Sequence, residues 1–236
     1  MPYSIEYKIL SSDTDLSRNL RLSRLFTFLQ EAAIAHTEEL GAGREKTLDK
    51  GYLWVVTSQH VKINRLPVYD ERIVLESVPG DMMHTFFPRH YRITGNNGEE
   101  LLTASALWML MDAENRTMLF PEKIGISIKG ENPGWKTFFP STPKLPENGS
   151  ESLFTVPYSY VDLNGHMNNT RYYDLAEDLM PAGLRSKRIK EVLSQYTSEA
   201  TLGRTITINC GFTENEARIS GTGEKSIFKL NLRYYE

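Results

Sequence analysis

One order of hydrophobic periods runs through the first half of this 236-residue chain and then runs again through the second. Tyr3 to Leu10 alternates loosely, as a strand does, and the polar run SSDTDLSRN follows. Leu22, Leu25, Phe26, Leu29, Ala32, Ala33 and His36 then fall on one helical face, with Gly41 placed to end the helix. From Tyr52 the period drops to two, in YLWVVTSQHVKIN, ERIVLESV, HTFFPRHYRIT and ELLTASALWMLMD, and Gly95-Asn96-Asn97-Gly98 suits the hairpin between the last two. Residues 121–150 lose all periodicity around Pro121, Pro133, Pro140, Pro143 and Pro146, and read as a connector whose Trp135, Phe138 and Phe139 would hold it to the surface. The order then returns. SLFTVPYSY reads as a strand; after a polar turn comes a helix carrying Tyr172, Leu175, Ala176 and Leu179, stopped by Pro181; KEVLSQYTSEA, RTITINCGF, EARISGT and SIFKLNLRYY read as further strands. A helix beside an antiparallel sheet must bury its apolar stripe there. The expectation is an α+β chain of two units, residues 1–130 and 151–236, joined by a Pro-rich linker over 131–150.

The copies can be laid on each other. Setting Asp15 on Asp162 also sets Leu16 on Leu163, Arg24 on Arg171, and Phe26 and Phe28 on Tyr173 and Leu175. They differ where chemistry would sit: Asn164, His166 and Asn168 of the second copy face Ser17, Asn19 and Arg21 of the first. Only the second copy has this set of amide and imidazole groups. Asp162, Asn164 and His166 occupy alternate positions, which in an extended segment would project to one side. Asn168, Asn169 and Thr170 are candidate caps at the helix start, where free N–H groups favour an anion. Taken alone, these residues equally describe a polar turn leading into a capped helix.

Composition removes several classes. A content of 40% hydrophobic and 24% charged residues is that of an ordinary globular chain. No apolar run approaches the roughly 20 residues that span a bilayer. The start, MPYSIEYKIL, lacks a signal-peptide pattern, so the expectation is a cytoplasmic protein without membrane insertion. One cysteine excludes an intramolecular disulfide framework and a Cys-cluster zinc site, and a net charge of −3 gives no reason to expect nucleic acid. His36, His60, His84 and His90 lack metal-ligand spacing, and no Gly-x-Ser-x-Gly elbow, P-loop or dinucleotide fingerprint occurs. Cys210 shares a strand face with Ile206 and Ile208, which suits a small core residue better than a nucleophile.

The run Asp162, Asn164, His166, Asn168, Asn169, followed by the aromatic Tyr172, resembles the signature of the acyl-acyl carrier protein (acyl-ACP) thioesterases. That resemblance implies a tandem, or double, hot-dog fold, each half a long helix wrapped by an antiparallel sheet. It implies hydrolysis of fatty acyl-ACP to free fatty acid and carrier thiol in fatty acid biosynthesis, with no metal or cofactor. The partner would be acyl carrier protein, and the protein a monomer or homodimer. The family places a further acid on the strand after the second helix, often followed by Cys; here that acid is Glu199, with Ala200 in the cysteine's place. An alanine cannot supply a thiolate. The resemblance therefore assigns water activation to Glu199, the carbonyl oxygen to Asn164 and backbone N–H groups, and proton relay or carbonyl polarisation to His166. Asp162 would orient Asn164 or set the tautomer of His166, and whether Glu199 or Asp162 touches the water stays open. An acyl slot is expected between helix and sheet of the first copy, at Phe26, Leu29, Trp54, Val56, Phe86, Trp108 and Leu110, with Met82 and Met83 as a flexible edge. Arg185, Lys187 and Arg188 are candidates for carrier binding. The alternatives are an acyl-CoA thioesterase and a non-catalytic acyl-binding or regulatory hot-dog protein.

Overall fold

The computed structural model describes residues 2–147 and 149–236. In chain order the elements are β1 (Tyr3–Lys8), α1 (Leu22–Glu39), β2 (Tyr52–Ile63), β3 (Arg72–Pro79), β4 (Phe86–Gly95), β5 (Glu100–Asp112), β6 (Ser150–Thr155), α2 (Arg171–Leu179), α3 (Ala182–Arg185), β7 (Ile189–Tyr196), β8 (Thr205–Phe212), β9 (Glu216–Thr222) and β10 (Ser226–Tyr234). The strands form one ten-stranded sheet in the order β1-β3-β4-β5-β2-β7-β10-β9-β8-β6. Adjacent strands pair antiparallel. The two copies meet at β2 and β7, where Ser58 lies opposite Gln195 and Gln59 opposite Ser194. Outward from that seam, β5, β4, β3 and β1 on one side answer β10, β9, β8 and β6 on the other, an approximate two-fold in sheet order.

Both main helices pack on one face of this sheet. In α1, Leu22, Leu25, Phe26, Leu29, Ala32 and Ala33 are buried, as the 3.6-residue spacing predicts. The second helix is half the length of the first, nine residues against 18, because Pro181 follows directly. The helices touch where the Phe26 ring stacks on Tyr173, with centroids 3.7 Å apart. Beneath that stack the Tyr196 hydroxyl donates to Tyr173 Oη at 2.9 Å, and Tyr173 Oη donates to Ser194 Oγ at 2.9 Å. Buried hydroxyls are thereby satisfied at the seam itself.

Between Gly125 and Gly149 the described residues form no helix or strand. Ile126 and Ile128 join the core, and beyond them the segment crosses the other face of the sheet as a strap. Glu131 N donates to Pro79 O of β3, Trp135 lies 4.5 Å from the Arg92 guanidinium of β4, and Phe138 sits 4.7 Å from His60 of β2. Lys144 N then donates to Asn231 Oδ1 of β10, and Arg218 of β9 reaches Glu147 at 2.8 Å. The proline-rich segment thus visits the strands in their sheet order, anchored by its aromatic residues.

One acid of α2 completes α1. The residue before α1 is Arg21, whose side chain has no acceptor to offer the first turn; Glu177 supplies one, accepting from Leu22 N at 3.1 Å. Burial pushes the Glu177 carboxyl up from 4.5 to about 6, against the pull of that hydrogen bond. The protonated form is the one the fold prefers. Its contribution is full below about pH 4.5 and is lost as pH rises through about 6. Glu177→Gln, neutral throughout, should match the native protein in urea unfolding near pH 4 and exceed it by about 1 to 2 kcal/mol above pH 7. A difference that stays flat with pH would contradict the assignment.

Candidate active site

The polar run after β6 is a tight turn and not the extended segment its alternation suggests. Asp162 N donates to His166 O at 3.0 Å, Gly165 N donates to Asp162 O at 3.0 Å, and Asn164 N donates to the Asp162 carboxylate at 2.9 Å. Gly165 holds φ at +81°, which the turn requires and glycine permits. The first copy has the same turn. Asp15 N donates to Asn19 O, Arg18 N to Asp15 O and Ser17 N to the Asp15 carboxylate, with Arg18 at φ +66° in the glycine's place. One backbone scaffold therefore carries two sets of side chains. At the tip of the second turn Leu163 and Asn164 are exposed, and the Asn164 side-chain amide makes no hydrogen bond among the described residues.

Asp162 does not hold the side chains expected of it. Its second oxygen accepts from Asn168 Nδ2 at 3.1 Å, while Asn168 Oδ1 accepts from the backbone N–H and hydroxyl of Thr170. The carboxylate thus ties the turn to the start of α2 through Asn168. The Asn164 side chain is left without a hydrogen bond among the described residues, and the imidazole is left to Glu199.

Glu199 lies beyond the end of β7, not on it, because the strand stops at Tyr196. The segment is brought to the turn by backbone: Met167 N donates to Ala200 O at 2.8 Å, and His166 bridges Thr201. His166 Nε2 consequently stands 2.9 Å from Glu199 Oε2, with the imidazole 14% and the carboxylate 36% exposed. An ionised carboxylate only accepts, so Nε2 carries the proton and, in the neutral ring, Nδ1 is the acceptor. The other oxygen, Oε1, accepts from Arg116 at 3.2 Å. Arg116 comes from the first copy, at φ +53° in the turn after β5 that Asp112 closes by accepting from Glu114 N and Asn115 N. Sequence reasoning missed it. The D-A-E-N-R stretch announces a turn, but nothing local says that its arginine reaches 83 residues along the chain.

Ala200 is fully buried behind this site, and Cys210 is a core residue whose thiol burial raises to about 11. Neither offers a nucleophile.

A cavity of about 200 Å³ opens between α1 and the sheet of the first copy, with Asn164 and Leu163 of the second at its exposed rim. Its apolar wall includes Trp54, Phe87, Trp108 and Ile128. Of the expected slot residues, Trp54 and Trp108 line it. Phe26, Leu29, Val56 and Leu110 are buried core outside the lining, and Met82, Met83 and Phe86 do not border it either. Strand alternation turns Phe87, not Phe86, to the helix side.

The three cations proposed for carrier binding all make internal contacts. Arg185 donates to Met180 O, Lys187 to Asn215 Oδ1 and Glu214 O, and Arg188 to Asn64 O. Arg185 and Arg188 nonetheless remain exposed.

The profile of the acyl-ACP thioesterase N-terminal domain matches residues 1–121, and that of the C-terminal domain matches residues 144–233. The chain belongs to the acyl-ACP thioesterase family. Among its relatives are a chloroplastic palmitoyl-acyl carrier protein thioesterase of Arabidopsis thaliana, 24% identical over 82% of this chain and 51% of its own length. A chloroplastic dodecanoyl-[acyl-carrier-protein] hydrolase of Cinnamomum camphora is 25% identical over 83% of this chain and 56% of its own. The chain spans about half the length of the curated relatives it matches first. Among solved structures, an acyl-ACP thioesterase from Bacteroides thetaiotaomicron superposes with a TM-score of 0.85 at 22% identity, covering 98% of this chain and 97% of that one. The 12:0-ACP thioesterase of Umbellularia californica gives 0.77 at 17% identity, over 99% and 97%. The fold is the double hot-dog of these acyl-ACP thioesterases. No helix among the described residues is long and apolar enough to cross a membrane.

Because Asp162 bonds on both oxygens, Asp162→Ala should lower unfolding stability by about 2 kcal/mol, and Asp162→Asn, which keeps one acceptor, by less. Unchanged urea midpoints in both would show that the turn stands without the carboxylate.

Proposed function

We propose that this protein hydrolyses the thioester of a fatty acyl chain carried on acyl carrier protein, releasing free fatty acid and the carrier thiol, in cytoplasmic fatty acid biosynthesis. The observation that carries the proposal is the 2.9 Å contact between Glu199 and His166, whose turn also sets a free amide, Asn164, on the rim of an apolar cavity. In this reading the first unit, residues 1–130, holds the acyl chain, and the second, 151–236, carries the chemistry.

The reaction needs a base for water and a donor for the carbonyl oxygen. Glu199 accepts the proton of the attacking water while His166 Nε2–H and Arg116 hold its carboxylate in place. Asn164 donates to the carbonyl oxygen as negative charge develops there. When the tetrahedral intermediate collapses, the departing sulfur takes up the proton that Glu199 received. One water is consumed, and the carboxylate is restored. Asp162 and Asn168 keep the turn rigid, so that Asn164 and His166 do not have to be ordered when substrate arrives. Relatives named for palmitoyl- and dodecanoyl-carrier substrates support a fatty acyl group and a carrier protein as the two halves of the substrate.

Purified protein should release thiol from acyl-ACP. Glu199→Gln should lower kcat by about 100- to 10,000-fold. Asn164→Ala should lower it by about 100- to 1,000-fold. Arg116→Met, which removes a positioning contact, should depress kcat with little change in KM and displace the pH profile. Thiol release equal in the native protein and the Glu199 and Asn164 variants would leave an acyl-binding protein without turnover. Charge reversal of Arg185, Lys187 and Arg188 together should raise KM for acyl-ACP and spare that for a small acyl thioester; equal kinetics on both would remove this patch from carrier recognition.

A further inference from the structure

The wall of the apolar cavity contains a guanidinium that no acid among the described residues contacts. Arg89 lies in β4 two residues beyond Phe87, so both side chains face the helix side, and both border the cavity. Arg89 is 4% exposed. Its guanidinium donates to His36 Nδ1 at 2.9 Å, to Ser77 Oγ at 3.0 Å and to Thr37 Oγ1 at 2.9 Å. All three partners are neutral. A guanidinium can only donate, so His36 accepts at Nδ1 and carries its proton on Nε2; burial and the adjacent Arg89 charge hold that imidazole down at about 4, uncharged at neutral pH.

No carboxylate among the described residues pairs with Arg89. The one acid in the cavity lining, Glu38, is exposed and accepts from Arg44 N at 2.9 Å instead. A buried cation is ordinarily matched by an acid, since removal from water disfavours the charge strongly. His36 and Thr37 belong to the last turn of α1, whose partial negative end offsets some of this. That end supplies about half a charge, spread over several carbonyls, and no anionic oxygen for the fork. Three hydrogen bonds also use fewer than the five N–H groups of the guanidinium. A slot meant for plain hydrocarbon has no use for such a group: a methyl or methylene beside it would keep it from water and return nothing.

We propose that the acyl group accommodated here bears a second oxygen function along its chain, a carboxylate above all, which accepts from Arg89 inside the cavity. The inference rests on the thioesterase reading above and narrows its substrate class from an unsubstituted fatty acyl group to the half-thioester of a dicarboxylic acid. The thioester stays at Asn164, Glu199 and His166, and the chain runs inward past Trp54 and Trp108 to the guanidinium. Hydroxylated chains would be weaker substrates of the same kind, because a hydroxyl accepts a hydrogen bond without neutralising the charge.

The test compares ACP thioesters of matched chain length that end in methyl, hydroxyl or carboxylate, over a series of lengths. At the length that reaches Arg89, the carboxylate should exceed the methyl in kcat/KM by about 10- to 100-fold. The same ratio should fall towards one in Arg89→Met and recover only in part in Arg89→Lys. A ratio taken within one preparation is insensitive to the fraction that is folded. A second measurement needs neither turnover nor a variant: amide analogues of the same thioesters, which cannot be cleaved, should raise the melting temperature of the native protein more with a carboxylate terminus than with a methyl. Methyl-ended chains preferred, or equal, at every length in both measurements would overturn the proposal and leave Arg89 as a clasp on the end of α1. Absence of turnover on every thioester would instead strike the hydrolase reading, and the melting shifts would still decide the ligand.

Discussion

Everything in this molecule is referred to the backbone pairing of β2 with β7. Two five-stranded sheets with closely matching strand order become one surface there, and the approximate two-fold through Ser58–Gln195 and Gln59–Ser194 fixes where each half's helix and turns fall relative to the other. The seam is also where polar groups are buried under both helices. Tyr173, Tyr196 and Ser194 satisfy one another, while Phe26 stacks on Tyr173 from the opposite half. Gln59 of β2 ties this chain to the seam, its side-chain oxygen accepting from Tyr173 Oη at 3.4 Å and its carbonyl from Ser194 Oγ at 3.5 Å; sliding β2 on β7 would take those acceptors away.

That register brings together groups that no single half contains. The imidazole and carboxylate come from the second half, the guanidinium that steadies the carboxylate from the first, and the cavity from the first with its rim from the second. The halves share the backbone of a turn, yet fill it differently. Asn19 occupies the position of His166, and Arg21 that of Asn168. In the first copy the arginine turns back to Thr14 O and leans towards Glu177, serving the junction between the helices. The backbone of the turn is common to both copies, and the imidazole beside a carboxylate occurs in one.

Much of this was legible in the sequence because it depends on local periods. The strand and helix spans, the duplication and the core placement of Cys210 all follow from spacing of two or 3.6 residues and from turn residues. The position of Glu199 was legible only through family resemblance. What spacing predicted wrongly was the shape of the Asp162–His166 run: alternation suggested a strand face, whereas Gly165 and the Asp162 carboxylate close a turn that alternation cannot represent. The slot suffered similarly. Phe86 and Phe87 are neighbours, and which one faces inward depends on a register that pairing sets, not composition. Arg116 and Arg89 lay out of reach because their meaning comes from partners far along the chain or, for Arg89, from the lack of one.

The strap over residues 131–147 has a consequence for how such a pair of units persists. Two separate hot-dog chains would hold their shared seam only as well as their concentration allowed. A tether that is itself laid along the sheet makes that encounter intramolecular, at an effective concentration on the order of millimolar or above. Dilution then cannot part the halves, and neither must remain able to recognise a copy of itself. Freed from self-recognition, the two sides of the seam can carry different side chains on one backbone, as the turns at Asp15 and Asp162 do.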